Sequence, residues 1–157
     1  MRFSVHYLAD RRGDIPVCAR WEHTEWGQGG GKTLVDALAS YDDVRRDGLP
    51  LTLVACSEAG QAVGMVSLWA SDCPLRPTLT PWVASLYVAP PARGHGIGTS
   101  LFARIEQEAV ILGFRRLYLM TQHSAATYAA TGWSAFDRVD GIGALRDAVL
   151  MCKDLSP

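Results

Sequence analysis

The sequence lacks the patterns of several common protein classes. It has no Cys-x-x-Cys pair, no basic stripe and no apolar run near the ~20 residues that a membrane-spanning helix needs. Zinc sites and redox pairs therefore have no support, and the four scattered cysteines are interpreted as buried free thiols of a reducing cytoplasm. The net charge of −1 argues against nucleic-acid and membrane-surface binding. The start of the chain resembles a strand, not a signal peptide. These absences predict a cytoplasmic protein with no metal, nucleic-acid or membrane partner.

Two nucleotide-binding motifs are missing as well. The dinucleotide fingerprint Gly-x-Gly-x-x-Gly fails in the glycine-rich segment after residue 93, because the sixth position is Thr99 in one frame and Leu101 in the other. Residues 27–33 imitate a P-loop, but Trp26 stands where its first glycine should be, and the segment follows a predicted helix instead of a strand. We predict a flexible loop there.

A strand, a glycine-rich turn and a helix follow one another near the middle of the chain. The strand spans 82–88, the turn is Arg93-Gly-His-Gly-Ile-Gly98, and apolar residues at helical spacing predict a helix over 96–112. A glycine turn at a helix N-terminus offers free backbone N–H groups and a positive dipole end, and Arg93 adds a permanent cation. This segment predicts a phosphate cradle.

The remaining pattern predicts one domain over residues 1–157, with 48% apolar and 20% charged residues. The helix 96–112 connects strand 82–88 to strand 117–121, so these two strands should be parallel and joined by a right-handed crossover. Antiparallel pairs are predicted on either side, at 51–56 with 62–70 and at 134–139 with 148–153.

The run Leu-Tyr-Val-x-Pro-x-x-Arg-Gly-x-Gly-Ile-Gly, residues 86–98, resembles the central motif of the GCN5-related N-acetyltransferases (GNAT family). The resemblance implies an α+β fold, an α/β/α sandwich. Its mixed, mostly antiparallel sheet would have about six or seven strands, a central parallel pair and about four flanking helices. It implies acetyl-CoA as cosubstrate, its pyrophosphate wrapped by the glycine turn. It also implies a bulge in strand 82–88 that splays it from its parallel neighbour and admits the pantetheine arm. The implied coenzyme-binding residues are Leu86, Tyr87, Val88, Arg93, Gly94, His95, Gly96, Ile97, Gly98 and Thr99.

A second resemblance lies at Thr127-Tyr128-Ala-Ala-Thr-Gly132-Trp133, where Tyr128 falls on the tyrosine that commonly serves as general acid in the family. The flanking Thr127 departs from the family pattern. Tyrosine has a pKa near 10 and a thiol near 8.5, so complete proton transfer to a leaving thiolate is uphill by ~2 kcal/mol. We therefore predict that Tyr128 stabilises the thiolate by a hydrogen bond while the proton comes from solvent.

The acceptor side of the site is less defined by the sequence. A helix is predicted from an N-cap at Asp14 to about Trp26, with Ile15, Cys18 and Ala19, and in addition Glu22 and Trp26, on one face. A second helix is predicted to start at a Thr33 capping box with Asp36 and to end near Gly48. No motif fixes the base that accepts the amine proton: Glu25 and Asp72 are the first candidates, then Ser85 relaying through water, then His123. Trp26, Trp82 and Ser85 are candidate substrate contacts.

The predicted function is transfer of an acetyl group from acetyl-CoA to the amine of a small molecule, by direct attack in a ternary complex. The alternatives are an acyl-CoA-binding or sensing domain without catalysis, and an acyltransferase with another acyl-CoA or acceptor. A homodimer is a further expectation, because pairing through C-terminal strands is common for this fold.

Overall fold

Seven strands form one mixed sheet in the computed structural model, which describes residues 1–156. Pro157, the last residue of the predicted domain, lies outside the described residues. In chain order the strands are β1 (Phe3–Tyr7), β2 (Leu51–Ser57), β3 (Ala62–Trp69), β4 (Trp82–Val88), β5 (Arg116–Thr121), β6 (Ser134–Val139) and β7 (Ala148–Asp154). Their order across the sheet is β1-β2-β3-β4-β5-β7-β6. The β4–β5 pair is parallel, whereas β2–β3 and β6–β7 are antiparallel, so these three predictions are confirmed.

Within residues 1–156, four α-helices cover the two faces of the sheet. They are α1 (Ile15–Glu22), α2 (Leu34–Ala39), α3 (Ile97–Ile111) and α4 (Ala125–Ala129). Side chains alternate along a strand, so Leu53 of β2 packs in the core with α3 while Val54 packs in the core with α1 and α2. Among residues 1–156, none of these helices combines the length and apolarity needed to cross a membrane.

The N-terminal helices are shorter than their sequence pattern predicts. The helix α1 ends at Glu22, and the chain continues through a wide π-helical turn, His23–Gly27, instead of a regular helix to Trp26. Asp14 does not cap α1 with its side chain, because its carboxylate accepts a 2.6 Å hydrogen bond from Arg11 Nε.

The capping box that begins α2 is confirmed. Asp36 N donates to Thr33 Oγ1 at 3.1 Å, and Thr33 N donates to Asp36 Oδ2 at 2.9 Å. The helix stops at Ala39, well before the predicted end near Gly48.

A bulge in β4 separates it from β5. Met65 of β3 lies opposite Tyr87 and Ser67 lies opposite Ala84, so β4 holds one extra residue, and Ser85 there has φ 58°. Within the described chain β4 and β5 share the single register pair Trp82–Tyr118, so the strands diverge beyond it. The edge of β4 from the bulge onward consequently faces an open gap.

Gly64 of β3 brings the N-terminus of α3 close to this gap. A Cβ at this position would lie 3.0 Å from the Tyr87 carbonyl oxygen and 3.3 Å from side-chain atoms of Ile97 and Leu101. Glycine therefore lets the first turn of α3 approach β3 and β4 more closely than any larger residue would.

Candidate active site

A cleft of about 670 Å³ runs from the gap between β4 and β5 to the N-terminal helices. The end nearest the gap is lined by residues of β4, β5, α3 and α4, and the far end by the π-turn, the loop after β3 and the 141–145 loop. The cleft gathers most of the predicted acceptor and catalytic residues, namely Glu25, Trp26, Asp72, Ser85, His123 and Tyr128.

Glu22, at the C-terminal end of α1, also lines this cleft. Its Oε1 accepts hydrogen bonds from the Ser85 hydroxyl and, at 3.2 Å, from the hydroxyl of Tyr41. Tyr41 is fully buried, so its hydroxyl holds the carboxylate from the core side. Burial raises the pKa of Glu22, and the hydrogen bonds from Ser85 and Tyr41 oppose that rise.

Ser85 has a left-handed backbone conformation that residues other than glycine rarely adopt. A non-glycine residue at φ 58° costs about 1–3 kcal/mol and persists where its surroundings impose it. Here the β4 bulge sets the backbone and the Glu22 carboxylate fixes the hydroxyl.

Sequence reasoning did not select Glu22 as a site residue. The available signal was a carboxylate four residues after the buried Cys18 and three after the buried Ala19, on the same face of α1. Burying a charged side chain on an apolar helix face costs free energy unless a partner stabilises the charge, so such a residue is a candidate site residue.

Asp72 is a second carboxylate in the cleft, on the loop after β3. Its burial raises its pKa to about 7, and the charge of Glu22 adds to the rise. The positive charge of Lys32 acts in the opposite direction on both carboxylates. With Glu25 also in the lining, this end of the cleft holds three carboxylates and one lysine.

The glycine turn at the start of α3 contains two glycines in left-handed backbone conformations. Gly94 and Gly96 have φ values of 83° and 80°, where other residues are strained, and no side chain caps α3 at Gly96. The first α3 residues therefore direct backbone N–H groups away from the helix. Arg93 is anchored beside them: its Nε donates to the Val88 carbonyl oxygen at 2.8 Å, and its guanidinium lies 5.6 Å from the centre of the Tyr87 ring.

Tyr128 lies where α4 meets the gap. Its ring stacks on Phe102 of α3 with centroids 5.1 Å apart, and Trp133 packs against both rings. Burial raises the pKa of Tyr128. A raised pKa makes complete proton donation harder, which favours the hydrogen-bonding role over the acid role.

Two glycine-rich loops meet at the end of the cleft that the π-turn lines. A Cβ on Gly29 would lie 2.7 Å from the Ala144 Cβ, and a Cβ on Gly30 would lie 3.2 Å from the Gly143 Cα. We call residues 27–31 and 141–145 together the glycine seam. Both of its segments line the cleft, so the seam closes this side of it.

Trp82 does not belong to this site. Its side chain is fully buried in a separate core cluster with Cys73 and Leu150, and its indole N–H donates to the Leu79 carbonyl oxygen at 2.7 Å. We therefore correct its predicted role from substrate contact to core packing. The alternation of β4 points Trp82 to the opposite side of the strand from the core cluster that contains Val83.

The cysteines and potential metal ligands form no site in the part of the chain that the structure describes. All four cysteines are free, three of them buried and Cys152 half-buried. No group of three or more His, Cys, Asp or Glu side chains in residues 1–156 is arranged to hold a metal ion.

The chain matches the family model described as acetyltransferase (GNAT) family over residues 20–133. The protein therefore belongs to the GNAT acetyltransferase family, as the motif at 86–98 predicts. A search of curated proteins gave no significant match.

Solved structures of acetyltransferases share the fold along nearly the whole chain. YncA from Salmonella typhimurium, solved with acetyl-CoA, has a TM-score of 0.75 at 18% identity, covering 98% of this chain and 94% of YncA. A phosphinothricin acetyltransferase from Sinorhizobium meliloti in complex with acetyl-CoA has a TM-score of 0.71 at 20% identity, with coverage of 99% and 89%. An aminoglycoside 6'-N-acetyltransferase complexed with coenzyme A has a TM-score of 0.72 at 14% identity, with coverage of 100% and 98%. At these identities the likeness establishes the fold.

Proposed function

We propose that this protein transfers an acetyl group from acetyl-CoA to the amine of a small molecule. The observation that carries the proposal is the continuity of the cleft: the gap beside the glycine turn opens into a chamber lined by carboxylates. A donor bound in the gap and an acceptor bound in the chamber would meet at Ser85.

The donor half rests on the glycine turn and the free edge of β4. The pyrophosphate would lie against the N–H groups of residues 94–99, with Arg93 as the cation. The pantetheine arm would pair with the backbone of Leu86–Val88, where the bulge has released β4 from β5. The bound coenzymes in the related YncA, phosphinothricin and aminoglycoside acetyltransferase structures support this assignment.

The acceptor half rests on the chamber's size and charge. The glycine seam closes one side, so the space suits a small molecule better than a polypeptide. Three carboxylates against one lysine favour a cationic or amphipathic amine, and Trp26 offers an aromatic surface for its apolar part.

The chemistry then follows from positions in the cleft. Holding the amine against the thioester supplies most of the acceleration by removing the need for a random encounter. A backbone N–H at the bulge would polarise the thioester carbonyl, and Tyr128 would donate a hydrogen bond to the departing thiolate.

Two measurements test the proposal. Isothermal titration with acetyl-CoA should show binding, and a panel of polyamines, aminoglycosides and amino acids should reveal an acceptor by release of the coenzyme thiol. Binding without transfer to any panel amine would refute the enzymatic proposal and favour a coenzyme-binding domain. With longer acyl-CoAs supplied in competition in the same panel, transfer of a longer acyl group in preference to acetyl would refute the choice of donor.

A further inference from the structure

We propose that Ser85 and Glu22 form a two-step proton relay that deprotonates the acceptor amine, and that Tyr41 positions the Glu22 carboxylate. This inference rests on the proposed function, because it concerns the amine proton of that reaction. It replaces Glu25 and Asp72 as first candidates for the base.

The relay is defined by hydrogen bonds that link three distant parts of the chain. Ser85 stands at the β4 bulge and Glu22 at the end of α1, and the two are hydrogen-bonded. Tyr41 reaches Glu22 Oε1 at 3.2 Å from the buried side, so the carboxylate lies between a core hydroxyl and a cleft hydroxyl. Ser85 and Glu22 line the cleft, whereas Tyr41 is fully buried.

Ser85 lies where the proposed relay would meet the reacting amine. The bulge is the point at which β4 leaves β5, so the thioester entering that gap would lie next to Ser85. An amine attacking the thioester would bring its N–H groups to the same place. The Ser85 hydroxyl donates its hydrogen bond to Glu22, so the lone pairs on its oxygen remain free to accept a hydrogen bond from the amine.

The proton and electron balance closes without any further reactant. The neutral amine nitrogen bonds to the acetyl carbon, and the C–S bond breaks with its electron pair on sulfur. The amine proton passes to Ser85 Oγ while the proton of Ser85 passes to Glu22 Oε1, leaving a neutral serine and a neutral carboxylic acid. The thiolate takes a proton from solvent, and Glu22 releases its proton to solvent before the next cycle.

The surroundings of Glu22 make its carboxylate a stronger base than an exposed glutamate. Burial raises its pKa above that of an ordinary glutamate, so the carboxylate holds a proton more readily. The titratable groups that act on it from neighbouring elements are Tyr41, Asp72 and Lys32. Glu22 and Asp72 each disfavour the other's negative charge. A loss of rate at acidic pH, the acidic limb of the pH–rate profile, therefore reports the coupled titration of both groups, and single variants are needed to assign it.

The first experiment measures kcat/KM against pH for the panel amine with the highest wild-type rate. We expect Glu22→Gln and Ser85→Ala to lower kcat by at least ~tenfold, and the double variant to lose little more than either single variant, because both act in one relay. Acetyl-CoA affinity, measured by titration, should stay within about twofold and shows that each variant is folded. Glu58→Gln, an exposed glutamate in the turn after β2, is the matched control.

The second experiment separates a relay from a merely structural contact. Tyr41→Phe removes a hydrogen bond that favours the ionised carboxylate, so the acidic limb should move to higher pH while kcat at high pH is largely kept. Carbon-13 NMR titration of the Glu22 carboxyl should show the same upward shift in Tyr41→Phe and in Ser85→Ala. Asp72→Asn should move the limb to lower pH without abolishing it.

The results that overturn the relay are distinct from those that overturn the function. An unchanged pH profile in Glu22→Gln, or an acidic limb abolished by Asp72→Asn instead, would remove the relay while leaving acetyl transfer intact. Additive losses in the Glu22 and Ser85 variants would also contradict a shared path. Wild-type protein that binds acetyl-CoA but acetylates no panel amine would refute the proposed function, and the relay with it.

Discussion

The glycine seam yields a prediction that can be worked from one distance. Replacing Gly29 by alanine would place its Cβ 2.7 Å from the Ala144 Cβ, whereas carbon atoms pack best at about 3.5–4.0 Å. One of the two loops must therefore move by about 1 Å. We expect Gly29→Ala to open the seam and weaken acceptor binding.

The size of the effect follows from the flexibility of the loops. Forcing an extra methyl group into a tight contact costs about 1–3 kcal/mol, and exposed loops relax toward the lower end of that range. A loss of about 1 kcal/mol corresponds to a fall of about 2–4 °C in Tm for a domain of this size. If the same ~1 kcal/mol is lost from the free energy of acceptor binding, the acceptor KM should rise about fivefold.

The assay compares wild-type protein, Gly29→Ala, Gly29→Ala/Ala144→Gly and Gly13→Ala by thermal unfolding and by acceptor KM for the best panel amine. Ala144→Gly removes the methyl group on the other side, so the Gly29→Ala/Ala144→Gly double variant should recover most of the loss. Gly13→Ala is the control, because a Cβ at Gly13 meets no atom within 4 Å. The acetyl-CoA dissociation constant should stay unchanged in all four, since the seam lies away from the glycine turn.

A Gly29→Ala variant with wild-type Tm and KM would show that the loops do not touch in solution. A double variant no better than Gly29→Ala would show that any loss came from the backbone at position 29 and not from contact with Ala144. Either result would refute the reasoning from the 2.7 Å distance.

Three further predictions concern the rest of the site. Tyr128→Phe should lower kcat at least ~tenfold with little change in acetyl-CoA affinity, whereas Tyr118→Phe, outside the cleft, should not; equal rates in both would remove the role of Tyr128. Arg93→Ala or Gly96→Ala should raise the acetyl-CoA dissociation constant about tenfold or more, and an unaltered calorimetric titration would exclude the phosphate cradle. Because the pKa of Asp72 is raised to about 7 in the folded protein, ionising this carboxyl destabilises the fold. The free energy of unfolding should therefore fall as the pH rises from about 4 to about 7. Asp72→Asn should therefore stabilise the protein at pH 8, by about 1–2 kcal/mol after allowance for solvent screening, and not at pH 4; equal Tm gains at both pH values would contradict this cause.

The elements that sequence predicted well are those whose causes are local. Thr33 and Asp36 form their capping box because the two groups are three residues apart on one turn. The strand, glycine turn and α3 follow from residue spacing, glycine conformation and helix periodicity, all within residues 82–112. The early end of α1 could not be predicted in this way, because the apolar face that includes Trp26 continues past Glu22 while the backbone widens into a π-turn.

Residues whose roles depend on burial were assigned less well. Trp82 and Trp26 are the same residue type beside similar loops, but one is enclosed by β5, β7 and the 71–80 loop while the other reaches the cleft. Asp72 and Glu25 are equal first candidates for the base in the sequence, but the pKa of Asp72 is raised to about 7 because the fold buries it near Glu22.

The sequence by itself determined the family, the strand-turn-helix segment at 82–112 and the position of Tyr128, because these depend on residues close together in the chain. Only the tertiary structure decided that Glu22, Tyr41 and Ser85 share hydrogen bonds and that two glycine loops meet over the cleft. The hydrogen bonds join Glu22 to Tyr41, 19 positions away, and to Ser85, 63 positions away. Neither composition nor spacing shows which of many polar residues the folded sheet brings together. The predicted donor site is therefore a local feature of the chain, whereas the proposed acceptor site depends on contacts that form only once the chain has folded.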